Sequence, residues 1–226
     1  RRHAPRRLSP AVQQQLDEEV RELLRAGVIS PSSSSYASPI VMVRKKDGSR
    51  RMCVDYRSLN ACTQDLKFPL PHPRSLLERL SGQRYFATLD LKSGFHQIPL
   101  SEEARPLTAF VTPSGLYEFN RIPFGLKNAP AFFQKTMLLV LSGLVGPRCQ
   151  VFIDDIVVHG VNLADFAESL RLVLERLRQF GLRLKAAKCR FGLSQVEYLG
   201  HIVCGEGIAL SDERKRAVAE VAVPTN

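Results

Sequence analysis

The stretch Val151-Phe152-Ile153-Asp154-Asp155-Ile156-Val157-Val158 places the tightest condition on how this chain can fold. Two adjacent carboxylates lie inside a run whose other six members are branched or aromatic and apolar. By propensity and length such a run is β-strand. Ionised Asp side chains inside it cost several kcal/mol unless cations or hydrogen bonds compensate. Successive strand residues point to opposite faces, so both acids can serve one site only at a sharp turn between two short strands. A strand-turn-strand with the acids at its tip, aimed at bound metal, meets both demands. A solvated Asp-Asp turn joining two core strands is the plain alternative, and the rest of the chain decides between them.

Charge narrows the function classes. The 226 residues carry 32 Lys and Arg against 22 Asp and Glu, a net +10. In a folded chain such an excess points to a polyanion partner, most often nucleic acid. The longest apolar stretch, 137–145, is interrupted by Ser142-Gly143 and falls far short of the roughly 20 residues of a membrane span. The opening Arg-Arg-His-Ala-Pro-Arg-Arg is not a secretory leader, and the missing initiator Met suggests a piece of a longer polypeptide. The five Cys show no Cys-x-x-Cys spacing, which argues against a structural zinc or a disulfide framework and favours a reducing compartment.

Along the chain, residues 1–8 form a flexible basic lead-in. Ser9-Pro10 predicts a helix start, with Val12, Leu16, Val20, Leu23 and Leu24 on one stripe and Gly27 as the stop. A hairpin follows at about 38–46 and 50–56, turning at Asp47-Gly48 and rich in Arg44, Lys45, Lys46, Arg50, Arg51 and Arg57. Three prolines keep 68–73 extended. Tyr85 to Asp90 reads as a buried strand followed by a Lys92-Ser93-Gly94 turn, and a second hairpin lies at 107–112 and 116–121. Asn128 caps a mostly buried helix running to about Leu141. Asp165 and Glu168 form a capping box opening an amphipathic helix that ends at Gly181, and 185–208 holds two or three short strands. This order implies an α+β fold, a split β-α-β (ferredoxin-like) antiparallel sheet with helices on one face.

In such a sheet the strand ending at Asp90 neighbours the one beginning after Asp154, 64 residues later. Two divalent cations about 3.5–4 Å apart, held by these acids, can activate a hydroxyl nucleophile and steady a departing pyrophosphate. Oxygen ligands without His or Cys favour Mg²⁺ over zinc.

Five ordered motifs now carry a family resemblance: Arg51-Met-Cys-Val-Asp-Tyr-Arg-Ser-Leu-Asn60, Tyr85-Phe-Ala-Thr-Leu-Asp90-Leu-Lys-Ser-Gly-Phe95-His-Gln-Ile, Phe119-Asn-Arg-Ile-Pro-Phe124-Gly125-Leu-Lys-Asn-Ala-Pro130-Ala-Phe-Phe-Gln134, Phe152-Ile-Asp154-Asp155 and Tyr198-Leu199-Gly200-His201. The chain resembles the reverse transcriptases (RNA-directed DNA polymerases) of long-terminal-repeat retrotransposons and retroviruses, the gypsy-like group above all, over about 28–215. The resemblance implies fingers at 9–84 and 107–127, a palm at 85–106 and 128–208, and the start of a thumb or a linker at 209–226, with the thumb largely absent and processivity poor. Asp90, Asp154 and Asp155 are then the catalytic acids. Asp90 and Asp154 hold two Mg²⁺ (Mn²⁺ as a substitute), Asp155 supports them less directly, and the Leu91 carbonyl completes one coordination sphere. Backbone amides of Lys92, Ser93 and Gly94 meet the triphosphate, and Phe95 excludes a 2′-hydroxyl. Arg51 and Lys45 contact phosphates, and Phe124-Gly125 lines the nucleotide pocket. A two-residue Asp47-Gly48 loop puts Arg51 opposite Arg44, and a three-residue loop ending at Ser49 puts it opposite Lys45. Gln134 lies near the template, Phe152 faces the primer-template duplex where the family has Tyr, and Leu199, Gly200 and His201 form the primer grip. His159 and His201 also depart from the family pattern.

The implied partners are an RNA/DNA template-primer duplex, deoxynucleoside triphosphates and further polyprotein domains (thumb and connection, ribonuclease H, integrase, protease), with no membrane. The implied location is intracellular, cytoplasmic in a virus-like particle or nuclear. Two other classes compete: a catalytically silent retroelement-derived nucleic-acid-binding domain, and another two-metal enzyme such as a nucleotide cyclase.

Overall fold

The computed structural model describes residues 8–44, 48, 50–211 and 215, which hold five α-helices, twelve strands and three short 3-10 helices. The lead-in at 1–7, the hairpin residues Lys45, Lys46, Asp47 and Ser49, and most of 209–226 lie outside the described residues. The chain divides into two compact units, Arg1–Lys67 with Ser93–Pro130, and Phe68–Lys92 with Ala131–Asn226.

The first unit opens with α1 (Pro10–Arg25), whose Pro10 follows the expected Ser9 cap and whose Leu16 and Val20 are buried. Five strands form one sheet: β1 (Ile29–Pro31), β2 (Ser38–Arg44), β3 (Arg50–Val54), β5 (Phe110–Thr112) and β6 (Gly115–Phe119), in the order β1-β6-β5-β2-β3. Their inward residues Ile29, Ile40, Phe110 and Phe119 pack with Leu16 and Val20 into one core. The β2–β3 pairing corrects both expected registers. Arg44 faces Arg50, and Arg51 faces Val43, a register one residue away from that of the two-residue loop and two from that of the three-residue loop. The short helix α2 (Arg57–Cys62) follows β3, and the sequence pattern had left it unassigned.

The second unit holds a four-stranded antiparallel sheet in the order β7-β8-β4-β9, from β7 (Cys149–Phe152), β8 (Asp155–Gly160), β4 (Tyr85–Asp90) and β9 (Arg190–Leu193). On one face Tyr85 meets Phe166 of α5 (Leu163–Gln179), with ring centres 6.2 Å apart. There Gly160 is obligatory, because a Cβ would collide with the backbone of Phe166. On the other face, α3 (Pro73–Leu80) packs Leu76, Leu77 and Leu80 against Phe86 and Val157. A three-stranded sheet of β10 (Gln195–Tyr198), β11 (His201–Cys204) and β12 (Gly207–Leu210) joins that cluster through Val196, Tyr198 and Val203. Residues 185–210 thus hold four strands where two or three were expected. Helix α4 (Ala129–Val140) buries Phe133, Gln134 and Met137.

Two caps differ from expectation. The Asn162 side chain, and not Asp165, caps α5 by accepting from the Asp165 amide at 2.9 Å. Asp165 instead pairs with Arg148 at 2.5 Å. The Asn128 side-chain oxygen accepts from Leu66, 62 residues away in sequence.

Candidate active site

Strand β4 pairs with β8 from Tyr85↔Gly160 to Asp90↔Asp155, so the ladder ends on two carboxylates standing side by side. Directly opposed residues of an antiparallel pair share a face, with Cβ atoms about 4.5–5.5 Å apart. Phe152 pairs with Asp155, which leaves Ile153 and Asp154 as a two-residue turn. Ile153 has φ +57° while Asp154 is not left-handed, the arrangement of a II′-like hairpin. A β-branched residue in that region is strained, at a cost of roughly 1–2 kcal/mol. Gln134 holds the turn in place: its Oε1 accepts from the Ile153 amide at 2.5 Å and its Nε2 donates to the Val151 carbonyl at 3.2 Å.

The electrostatics ask for a cation. The Asp155 carboxyl titrates above the usual carboxylate range, first through desolvation, then through repulsion from Asp154 and Asp90, with Lys188 opposing. The Lys188 ammonium sits 3.1 Å from Asp90 Oδ2 and supplies positive charge at the cluster. Among the described residues, no three His, Cys, Asp or Glu side chains already surround a metal position. The donor set is nonetheless all oxygen, the chemistry that suits Mg²⁺. Leu91 bridges Leu184, and that bridge uses the Asp90 carbonyl (to Lys185, 2.8 Å) and the Lys92 amide (to Arg183, 2.9 Å). The Leu91 carbonyl therefore points away from the bridge, whereas the Lys92 amide is already engaged and cannot also meet a triphosphate.

A cavity of about 220 Å³ lies against these acids, lined by Asp90, Asp155, Lys188, Glu197, Tyr198 and Leu199. The expected primer-grip turn is thus next to the acids. Tyr198 pairs with His201, and both loop residues are left-handed, Leu199 at φ +52° and Gly200 at φ +75°. That is a type I′ hairpin with Leu in a place that favours Gly or Asn. His201 Nδ1 lies 3.1 Å from the Leu199 carbonyl.

In the first unit, a cavity of about 490 Å³ gathers four of the expected nucleotide contacts: Arg51, Ser93, Phe124 and Gly125. Phe124 is 54% exposed. It meets Phe95 edge-on, with ring centres 5.1 Å apart at 81°, and His96 at 5.2 Å. Burial, then Arg121, lowers the His96 pKa. Gly125 adopts φ +94°, which a side chain would resist. Glu19, which accepts from the Met52 amide at 2.8 Å, and Glu22 also line the cavity, and Arg51 is the one permanent cation among the described lining residues. Lys45 lies outside the described residues.

Comparison with known proteins agrees with this geometry. The family model described as reverse transcriptase (RNA-dependent DNA polymerase) matches residues 43–203. The chain belongs to the reverse transcriptase family. It is 43% identical over 217 residues to the retrovirus-related Pol polyprotein from transposon opus of Drosophila melanogaster, covering 94% of this chain and 22% of that protein. It is 38% identical over 215 residues to the corresponding polyprotein from transposon gypsy of the same organism, covering 92% and 21%. The chain therefore spans about a fifth of the length of these relatives. Among solved structures, the foamy viral protease-reverse transcriptase in complex with double-stranded DNA superposes with a TM-score of 0.86 at 26% identity, over 99% of this chain and 47% of that one.

The structure relocates one expected contact and adds others within the family framework. Gln134 is fully buried, with both amide atoms on the acidic hairpin, so its side chain cannot touch a template and braces the turn instead. Phe152 is partly buried against the second unit's core, beside the acids. Lys188 stands outside the five motifs, and Tyr198, the first residue of the last of them, had no role expected of it. The Tyr198 hydroxyl is buried without a hydrogen-bond partner. No short motif announces Lys188, and the motif that contains Tyr198 does not disclose its place beside Asp155, which depends on β9 and β10 folding back over β4.

Proposed function

We propose that this chain is the polymerase region of a longer retroelement polyprotein, copying an RNA or DNA template by adding deoxynucleoside triphosphates to a primer 3′-hydroxyl. The observation that carries this reading is the register Asp90↔Asp155 with Asp154 at the adjoining turn, three carboxylates at one sheet end. In the reaction the primer oxygen forms a bond to the α-phosphorus, the bond to the bridging oxygen breaks and pyrophosphate leaves. Asp90, Asp154 and the Leu91 carbonyl would hold two Mg²⁺, with Asp155 in support. When bound, such ions make the hydroxyl a better nucleophile and offset charge on the leaving group. Phe95 and Phe124 would face the sugar, Arg51 and Lys45 the phosphates, the Ser93 and Gly94 amides the triphosphate, and Leu199-Gly200-His201 with Phe152 the primer strand.

The +10 charge supports a nucleic-acid partner, as do the foamy viral relatives, solved in complex with double-stranded DNA and with an RNA/DNA hybrid. Ribonuclease H, integrase and protease would be supplied by the rest of a polyprotein, inside the cell. Among the described residues, no helix is long and apolar enough to cross a membrane.

The test offers an RNA template, an annealed DNA primer, Mg²⁺ and deoxynucleotides to the wild-type chain and to Asp154→Asn. Disturbing merely an outer hydrogen-bond partner of a metal ligand costs about 10–100-fold, so losing a ligand is expected to cost more. Extension by the wild type and its loss in Asp154→Asn support the proposal. Duplex binding without extension by either would leave a nucleic-acid-binding domain without turnover.

A further inference from the structure

Three segments of this molecule are held by the same device, a side-chain amide bridging a carbonyl at position i and an amide at i+2 as a strand edge would. One of them has a consequence for substrate choice. Asn60, in α2, donates from Nδ2 to the Gly125 carbonyl at 2.8 Å and accepts at Oδ1 from the Lys127 amide at 2.9 Å. The stitching is reciprocal. Asn128 donates to the Gln64 carbonyl at 2.8 Å and accepts from the Leu66 amide at 3.1 Å, and Lys127 Nζ lies 2.6 Å from Asp65. Segments 60–66 and 124–128 are thereby laced together within the first unit.

The loop needs this brace. Gly125 has a positive φ of +94°, and a Cβ added there would stand 3.6 Å from the Tyr56 ring. Tyr56 is itself buried and fixed through its hydroxyl to the Thr108 carbonyl at 2.8 Å. Phe124, by contrast, is more than half exposed, and its ring contacts are the edge-on ones to Phe95 and His96. A shift of the adjoining Gly125 backbone, which Asn60 holds, would move the Phe124 ring against Phe95. A wall that rejects one extra hydroxyl does so only as far as it resists displacement, since an ångström of play relieves the clash.

We propose that Asn60 is a positioning residue that stiffens the Phe95–Phe124 wall and so sets discrimination between deoxyribo- and ribonucleoside triphosphates. The inference rests on the polymerase reading above and adds to it a residue that touches no substrate. Asn60→Leu keeps the side-chain size and removes both bonds. Asn60→Asp keeps the acceptor for Lys127 and turns an oxygen toward the Gly125 carbonyl.

The experiment measures single-nucleotide insertion on one template-primer with a matched deoxy- and ribonucleoside triphosphate, for the wild type and both variants, alongside thermal unfolding. The expected result is a deoxy-to-ribo ratio of kcat/KM that falls about tenfold in Asn60→Leu, carried by KM, with Asn60→Asp between. A purely structural role would lower Tm and both rates together and leave the ratio unchanged, which would overturn the inference. An unchanged ratio in a wild type that extends primers defeats this inference alone. A wild type that extends nothing removes the polymerase reading and the inference with it.

Discussion

The acidic hairpin of the second unit and the Phe124-Gly125 loop of the first are braced alike and differ in what the brace protects. Each has a left-handed residue, Ile153 or Gly125, held by an amide that bonds positions i and i+2. Gln134 is fully buried and constrains a β-branched residue that resists its conformation, whereas Asn60 is partly exposed and constrains a glycine that does not. Water can replace the bonds of Asn60 and cannot reach those of Gln134. The buried brace therefore carries stability, and the exposed one carries precision.

Replacing Gln134 by Leu tests that contrast most severely. It leaves the Ile153 amide and the Val151 carbonyl unpaired at a strained turn, each costing roughly 1–3 kcal/mol. Urea unfolding is expected to show a loss of about 2–5 kcal/mol, with extension falling too. A loss no larger than that of Asn60→Leu would erase the distinction.

Next in size is the pH response of β8, the strand that carries Asp155. Burial first, with Asp165 and Arg148 as smaller and opposing influences, pushes the His159 pKa down to about 4 from an ordinary 6.5. The unfolded chain therefore binds a proton before the folded one does. Stability is full above about pH 6.5, falls as pH drops toward 4, and the loss approaches roughly 3 kcal/mol before other groups contribute. Urea midpoints at pH 7.5 and 5 check this. His159→Phe should flatten that interval, and an equally steep decline in the variant would assign the effect elsewhere.

The smallest effect belongs to the first unit. Duplex affinity should decline steeply with salt as phosphate contacts release counterions, and Arg50→Ala should reduce the log–log slope by about 1. Binding titrations at several salt concentrations measure it. A slope near zero in the wild type would remove the electrostatic reading of the β2–β3 hairpin.

The sheet, the acids and most of the strand assignments were legible in the sequence because burial imposes alternation, and Asp154-Asp155 interrupts it where no solvated strand would. The β2–β3 register was not legible: the sequence Asp47-Gly48-Ser49 is compatible with more than one loop length, and each shift by one residue turns Arg51 to the other face. The helix α2 was hidden because its six residues, Arg57–Cys62, include none that is buried, so no apolar stripe marks it.

The sequence by itself determined that carboxylates would meet at a strand end, because ionised groups in an apolar run need a turn and a counter-charge. It also determined the family, since five motifs in order admit few other readings. Only the tertiary structure decided that Gln134 faces inward, that Lys188 sits on Asp90 and that Asn60 fastens Gly125. Those partnerships join residues 17 to 98 positions apart, and side-chain hydrogen bonds leave no periodic trace in the chain that makes them.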